Sequence, residues 1–203
     1  MRQAFSVICL TTLTLLTTAL PLAAQPPQDM AAYEALIAAA DKGDAEAAFQ
    51  VAAALTDSSI VTYDPIKRNA YLDIAVAQNH GEALMMRAMD FEAGNAPIAQ
   101  DNAQALNHYL RSAKAGFVGA QTVLSIYYET GDLVGAPDLV RACAWIMLAI
   151  RSAKAQPDFG AEPGSDQISD LEEARDTYLM ELSAEDVKAA EALSYKLLDE
   201  IQL

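Results

Sequence analysis

Asp64, Asp101 and Asp138 fall on one ruler of about 37 residues, and so do Tyr71, His108 and Trp145, and again Asn79, Gly116 and Ala153. A repeat period between roughly 20 and 50 residues marks a stacked array, in which no unit buries its apolar face without a neighbour. Such a chain folds by stacking, and its long surface is where function is expected.

Each period resolves into two helices. First helices are expected at about 45–56, 81–93 and 118–130, and second helices at about 65–78, 102–115 and 139–152. The segments between them end in the aspartates of the ruler. Aspartate at that place accepts hydrogen bonds from the free amides of the next helical turn, so Asp64, Asp101 and Asp138 read as helix caps and not as catalytic or metal-binding carboxylates. Pro65, directly after Asp64, suits the first helical position, where its missing N–H costs nothing. Gly94 and Gly131 read as left-handed stops of two first helices.

The columns inside the units are informative. Ala83, Arg87, Ala88, Phe91 and Gly94 align with Ala120, Leu124, Ser125, Tyr128 and Gly131, and less closely with Ala47, Val51, Ala52, Leu55 and Ser58. Small residues in the third place let two helices approach closely. In the second helices, Ala105, His108, Ser112, Ala113 and Gly116 align with Ala142, Trp145, Ala149, Ile150 and Ala153, and Arg68, Tyr71, Ala75, Val76 and Asn79 form a divergent copy.

On these residues the chain resembles the Sel-one-like repeat (SLR) family, a branch of the tetratricopeptide-like helical solenoids. The third unit carries the pattern best, in Leu124, Tyr128, Gly131, Asp138, Ala142, Trp145 and Ala149, with Ser125 in place of a glycine. Arg87 replaces the pattern's leucine in the second unit, and Asn79 replaces a glycine in the first. The resemblance covers about 32–153, with Ala32, Ala39, Ala40 and Gly43 as an entering half-unit. It implies an all-α fold, a right-handed superhelical solenoid of antiparallel helix pairs, and an adaptor role in larger assemblies. Some secreted SLR proteins are linked to β-lactam binding or hydrolysis, which makes an envelope enzyme, or a regulator of one, the alternative. Those proteins carry a disulfide in each repeat, and this chain has no such cysteine pairs, so that activity is not carried over.

The ends frame the array. Met1 to Gln3 gives a positive start, 7–22 is apolar, and Pro21-Leu22-Ala23-Ala24 precedes a polar stretch, so 1–24 reads as a signal peptide. Thr17-Thr18-Ala19 is an alternative cleavage site, and an uncleaved anchor is the alternative fate. Cys9 lacks the surroundings of a lipid-attachment site. The expected order is therefore a signal peptide at 1–24, an entering half-repeat at 25–43, three repeats at 44–153, a loop at 154–165 and a capping helical pair at 166–203. A periplasmic or secreted location follows, with no membrane span after cleavage. Cys143 is then the only cysteine of the mature chain, so no internal disulfide is available. It reads as a small core residue, with intermolecular pairing or a reactive thiol as alternatives.

Charge and motifs narrow the function. With 28 Asp plus Glu against 13 Lys plus Arg, a net charge of −15 repels phosphate backbones, and no basic patch interleaved with aromatics argues for nucleic acid. There is no His-Glu-x-x-His, no Gly-x-Ser-x-Gly, no phosphate-binding glycine loop and no Cys-x-x-Cys, so no catalytic residue, metal site or cofactor is expected. His80 and His108 belong to neighbouring helices and would need further ligands to hold a metal.

Helical phase identifies the surface. With Ala83 and Ala120 as origins, the core stripe uses offsets of about zero, four, five and eight residues, so offsets of about two and six point the other way. They hold Phe49 and Ala53, Met85 and Met89, and Thr122 and Ile126, with Glu92 and Glu129 slightly further along. In tetratricopeptide-like solenoids this side lines the concave face. Phe49, Met85, Met89, Glu92, Thr122, Ile126 and Glu129 are therefore the candidate site, an apolar groove rimmed by acids for a protein or peptide partner. Packing of the same residues against an adjacent helix is the equal alternative. The sequence sets no oligomeric state.

Overall fold

A computed structural model describes residues 27–57, 59–156 and 167–201. The expected signal peptide at 1–24 and most of the expected loop lie outside the described residues.

Among the described residues the chain is all-helical. Helix α1 (Met30–Ala40) enters the array. Three pairs follow: α2 (Ala45–Thr56) with α3 (Pro65–Ala77), α4 (Gly81–Ala93) with α5 (Asn102–Lys114), and α6 (Val118–Thr130) with α7 (Leu139–Ala155). Helices α8 (Gln167–Glu181) and α9 (Ala184–Asp199) close the stack. Within a unit the first helix packs on the second, and α3 on α4 and α5 on α6 join the units.

The ruler aspartates are caps. Asp64 Oδ1 accepts from the amides of Ile66 at 3.1 Å and Lys67 at 3.0 Å. Asp101 Oδ1 accepts from Ala103 and Gln104, both at 3.0 Å, and Asp138 Oδ1 from Arg141 at 2.9 Å. Each such cap is worth about 1 kcal/mol. Gly94 (φ +71) and Gly131 (φ +86) stop their helices in the left-handed region. In the second helices Asn79 (φ 58) and Gly116 (φ +83) make the same turn. The third copy has Ala153 there, and α7 runs on through Ala155, into the first residues expected as loop. Alanine is the best helix former and disfavours the left-handed region, which accounts for the extension.

The core repeats with the units. Ala52, Ala88 and Ser125, in the small-residue column, are buried, and Leu72, Leu84, Leu124 and Leu148 fill the gaps between helices. The Ser125 hydroxyl donates to Ala142 O at 2.9 Å, which ties α6 to α7. Cys143 is buried in the cluster shared by α7, α8 and α9, and burial pushes its thiol up from its ordinary value, which favours the protonated form.

The two joints between units differ in kind. Arg87 stands in the leucine column and Arg68 in the column that holds Ala105 and Ala142 elsewhere, so α3 and α4 meet through charge. Arg68 Nη1 lies 2.7 Å from Asp90 Oδ2, and its Nε donates to Thr56 Oγ1 at 2.8 Å. Arg87 Nη2 lies 2.7 Å from Asp73 Oδ1. The closing helices also depart from expectation: α8 and α9 each pack chiefly on α7, and not on one another as a pair would.

Candidate functional site

The seven candidate residues lie on the first helices α2, α4 and α6, but they do not form one open groove. Phe49 is half-buried in the first core cluster, and its ring stacks on His80 with centroids 4.9 Å apart. Met85 is half-buried against the central core, where its sulfur would lie 3.5 Å from a Cβ at Gly119 of the next unit. The Thr122 hydroxyl donates to Val118 O at 3.0 Å. Met89 and Ile126 are left exposed, at 51% and 48% of their surfaces, one period apart on α4 and α6. The two readings of these columns thus divide by offset: the inner positions pack between units, and the outer positions face solvent.

The acids are engaged as well. Glu92 on α4 accepts a hydrogen bond from the Tyr109 hydroxyl of α5 at 2.7 Å and from the Tyr127 hydroxyl of α6 at 2.7 Å. Glu129, one period on, accepts from the Tyr178 hydroxyl of α8 at 2.8 Å, and Ser125 Oγ lies 3.3 Å from the same hydroxyl. In each case a tyrosine of a later helix clasps a glutamate near the end of α4 or α6. Burial first, then the bond to the glutamate, pushes Tyr127 up to about 12. Tyr178 is likewise pushed up to about 12, chiefly by burial, and Tyr109 is raised further for the same reasons. These hydroxyls stay protonated and donate throughout the ordinary pH range. The acid column therefore holds the array together before it offers charge to a ligand.

The two histidines have separate structural tasks. His108 is buried in the aromatic column, its Nδ1 2.9 Å from Gln104 O and its ring 5.2 Å from that of Phe91. Burial pulls its pKa below the ordinary imidazole value, so it is neutral at neutral pH. His80 caps α4: its Nδ1 accepts from the Ala83 amide at 3.3 Å, and its Nε2 lies 2.9 Å from Glu46 Oε2. Sequence reasoning weighed His80 only as a metal ligand and missed this cap, although Asp44, His80 and Phe117 open the three first helices at steps within one residue of each other.

Glu46, His80 and Glu82 place ligand-capable atoms within 4.8 Å of one another, the spacing a cation site would need. A metal-bound imidazole donates its other N–H to an acceptor. Here the other nitrogen, Nδ1, faces an amide N–H and must accept, which leaves the proton on Nε2 pointing at Glu46. The trio fits a helix cap fixed by a carboxylate, and it does not fit a metal ligand set.

The described residues also form a cleft that sequence reasoning did not find, lined from α5, α6, α7 and α9 and including Trp145. Its volume is about 430 Å³, within the range of roughly 300–1,000 Å³ common for small-molecule sites. Among the described residues no helix is long and apolar enough to cross a membrane.

No protein-family profile matches the chain, and neither does any curated protein. Solved structures do. The crystal structure of c5321, a protective antigen present in uropathogenic Escherichia coli strains and displaying an SLR fold, matches with a TM-score of 0.63 at 22% identity over 84% of this chain. The match covers 33% of c5321, so this chain spans about a third of that protein's length. A Sel1 repeat protein from Oxalobacter formigenes matches with a TM-score of 0.53 at 25% identity, over 69% of this chain and 96% of its own. The chain is similar in fold to both, and its fold is that of the SLR branch of tetratricopeptide-like helical repeats.

Proposed function

We propose that this SLR-fold chain is a non-catalytic protein-binding module, exported through the signal peptide at 1–24, that holds an apolar peptide segment against the outer column of its first helices. The observation that carries the reading is the exposure of Met89 and Ile126 at equivalent places one repeat apart. Two large apolar side chains left in solvent at the period of the array match a ligand that extends along it. Methionine adds a contact that adapts to differently shaped partners. The SLR fold supports a scaffold role, and the charge and apolar pattern of residues 1–24 supports export to the periplasm or beyond.

Met89→Asp and Ile126→Asp test the site, because both side chains are exposed and their loss leaves the core intact. In a screen of immobilised peptides, the parent protein should retain apolar peptides that the double variant releases, with the helical circular-dichroism signal unchanged. Equal retention by the double variant overturns the proposed surface. Export is tested separately by amino-terminal sequencing of protein recovered from the cell envelope, which should begin after Ala24.

A further inference from the structure

The cleft beside Trp145 reverses the charge of the protein around it. The chain has 13 Lys plus Arg against 28 Asp plus Glu, yet four cations line this cleft, Arg111, Lys114, Arg141 and Lys196, against one acid, Glu200. In so acidic a molecule, four cations lining one cleft would attract an anion and concentrate it there. A second cleft of about 390 Å³ shares Arg111, Lys114 and Glu200, so the basic wall extends beyond one depression.

The cations are held in different ways. Arg111 Nη2 donates to Asn79 Oδ1 at 2.8 Å and to Val76 O at 3.1 Å, so its position is fixed by the end of α3. The Arg141 guanidinium lies 5.5 Å from the centre of the Tyr128 ring and 3.3 Å from its own helix cap, Asp138. Lys114 Nζ lies 2.9 Å from Glu200 Oε2. Lys196 makes no ion pair among the described residues, although it is close enough to Glu200 to help hold that carboxyl below its ordinary value, after Lys114. The rest of the lining is mostly apolar: Leu110, Leu193, Leu197, Tyr128 and the 4%-exposed Trp145, with Asn107 the one amide.

We propose that this cleft binds a free amphipathic carboxylate, its apolar body against Trp145 and the leucines and its charged head among Lys196, Arg141 and Lys114. Glu200 shows the fit of the head group, since one carboxylate of the chain already occupies part of the basic wall. Phosphate alone would leave the apolar lining unused, and an uncharged hydrocarbon would leave the cations unused. The site is separate from the surface carrying Met89 and Ile126, so it stands or falls independently of the peptide-binding reading.

Trp145 is the only tryptophan of the chain, which gives a direct readout. Decanoate titrated into the full chain should change Trp145 emission saturably, and decanol and acetate at matched concentrations should bind at least tenfold more weakly. Lys196→Glu should weaken decanoate by about tenfold or more, Lys196→Arg should restore it, and Glu200→Gln should strengthen it severalfold. Lys196 is exposed, so its variants fold, and unchanged thermal transitions check this. The proposal is overturned if decanol binds as well as decanoate, if no saturable change in emission occurs, or if Lys196→Glu leaves the affinity unaltered.

Discussion

Arg68 on α3 and Asp90 on α4 face each other at 2.7 Å with only 8% and 3% of their side chains exposed, so the first joint of the array is a buried ion pair. Removing one partner strands the other charge in the core. Arg68→Ala or Asp90→Ala should each destabilise the protein by roughly 3–5 kcal/mol in urea or thermal unfolding. The double variant should lose much less than the sum, because the stranded charge is gone. Additive losses would show that the pair is not coupled.

The tyrosine clasps make a prediction at high pH. An ordinary tyrosine titrates near 10, whereas Tyr127 and Tyr178 are pushed up to about 12 in the folded chain, first by burial. The unfolded chain therefore releases these protons first. Their contribution to stability is fully present below pH about 10 and is lost as the pH climbs to about 12. Tyr127→Phe with Tyr178→Phe should flatten the fall of stability across that window, and an unchanged slope would rule the clasps out as its source. At neutral pH each substitution alone should cost about 1 kcal/mol, the usual net worth of one hydrogen bond.

Two glycines in the left-handed region separate backbone strain from crowding. Gly43 (φ +91) has open space where a Cβ would go, whereas a Cβ at Gly131 (φ +86) would meet Pro137 Cδ at 2.7 Å and Pro137 N at 2.9 Å. Gly43→Ala should cost about 1 kcal/mol, from conformation alone. Gly131→Ala should cost more, because the Pro137 backbone must shift. Equal losses in chemical denaturation would show that the segment after α6 yields freely.

The caps can be graded. Asp101→Asn keeps a side-chain oxygen for the amides of Ala103 and Gln104, whereas Asp101→Ala removes it. The alanine variant should lose about 1 kcal/mol and the asparagine variant little of that, measured by thermal unfolding. A loss that does not depend on the oxygen would assign Asp101 another role.

The scaffold was legible because spacing is a linear quantity. Asp64, Asp101 and Asp138 cap helices wherever the array places them, and Gly94 and Gly131 stop helices through their own conformational freedom. The site was less legible, because its residues acquire partners from other units. Glu92 and Glu129 read as rim acids until tyrosines of neighbouring helices are brought against them. Phe49 and Met85 share a helix face with exposed residues, and only the next unit's closeness buries them. Arg68 did leave a signal, an arginine in a column of alanines, but its partner Asp90 lies on another helix at no repeating interval. The cleft beside Trp145 had no local signature, since α9 creates it by lying on α7 near the end of α5.

Helix α9 has a further consequence for the stack. Tyr178 docks α8 onto Glu129 much as Tyr127 docks α6 onto Glu92. The chain then abandons the pattern: Glu200 reaches back to Lys114, and Ile201 would meet a Cβ at Gly116, on the turn after α5. Helix α9 thus straps the second helices of two successive units together, lying along α7 while Glu200 at its end holds Lys114 of α5.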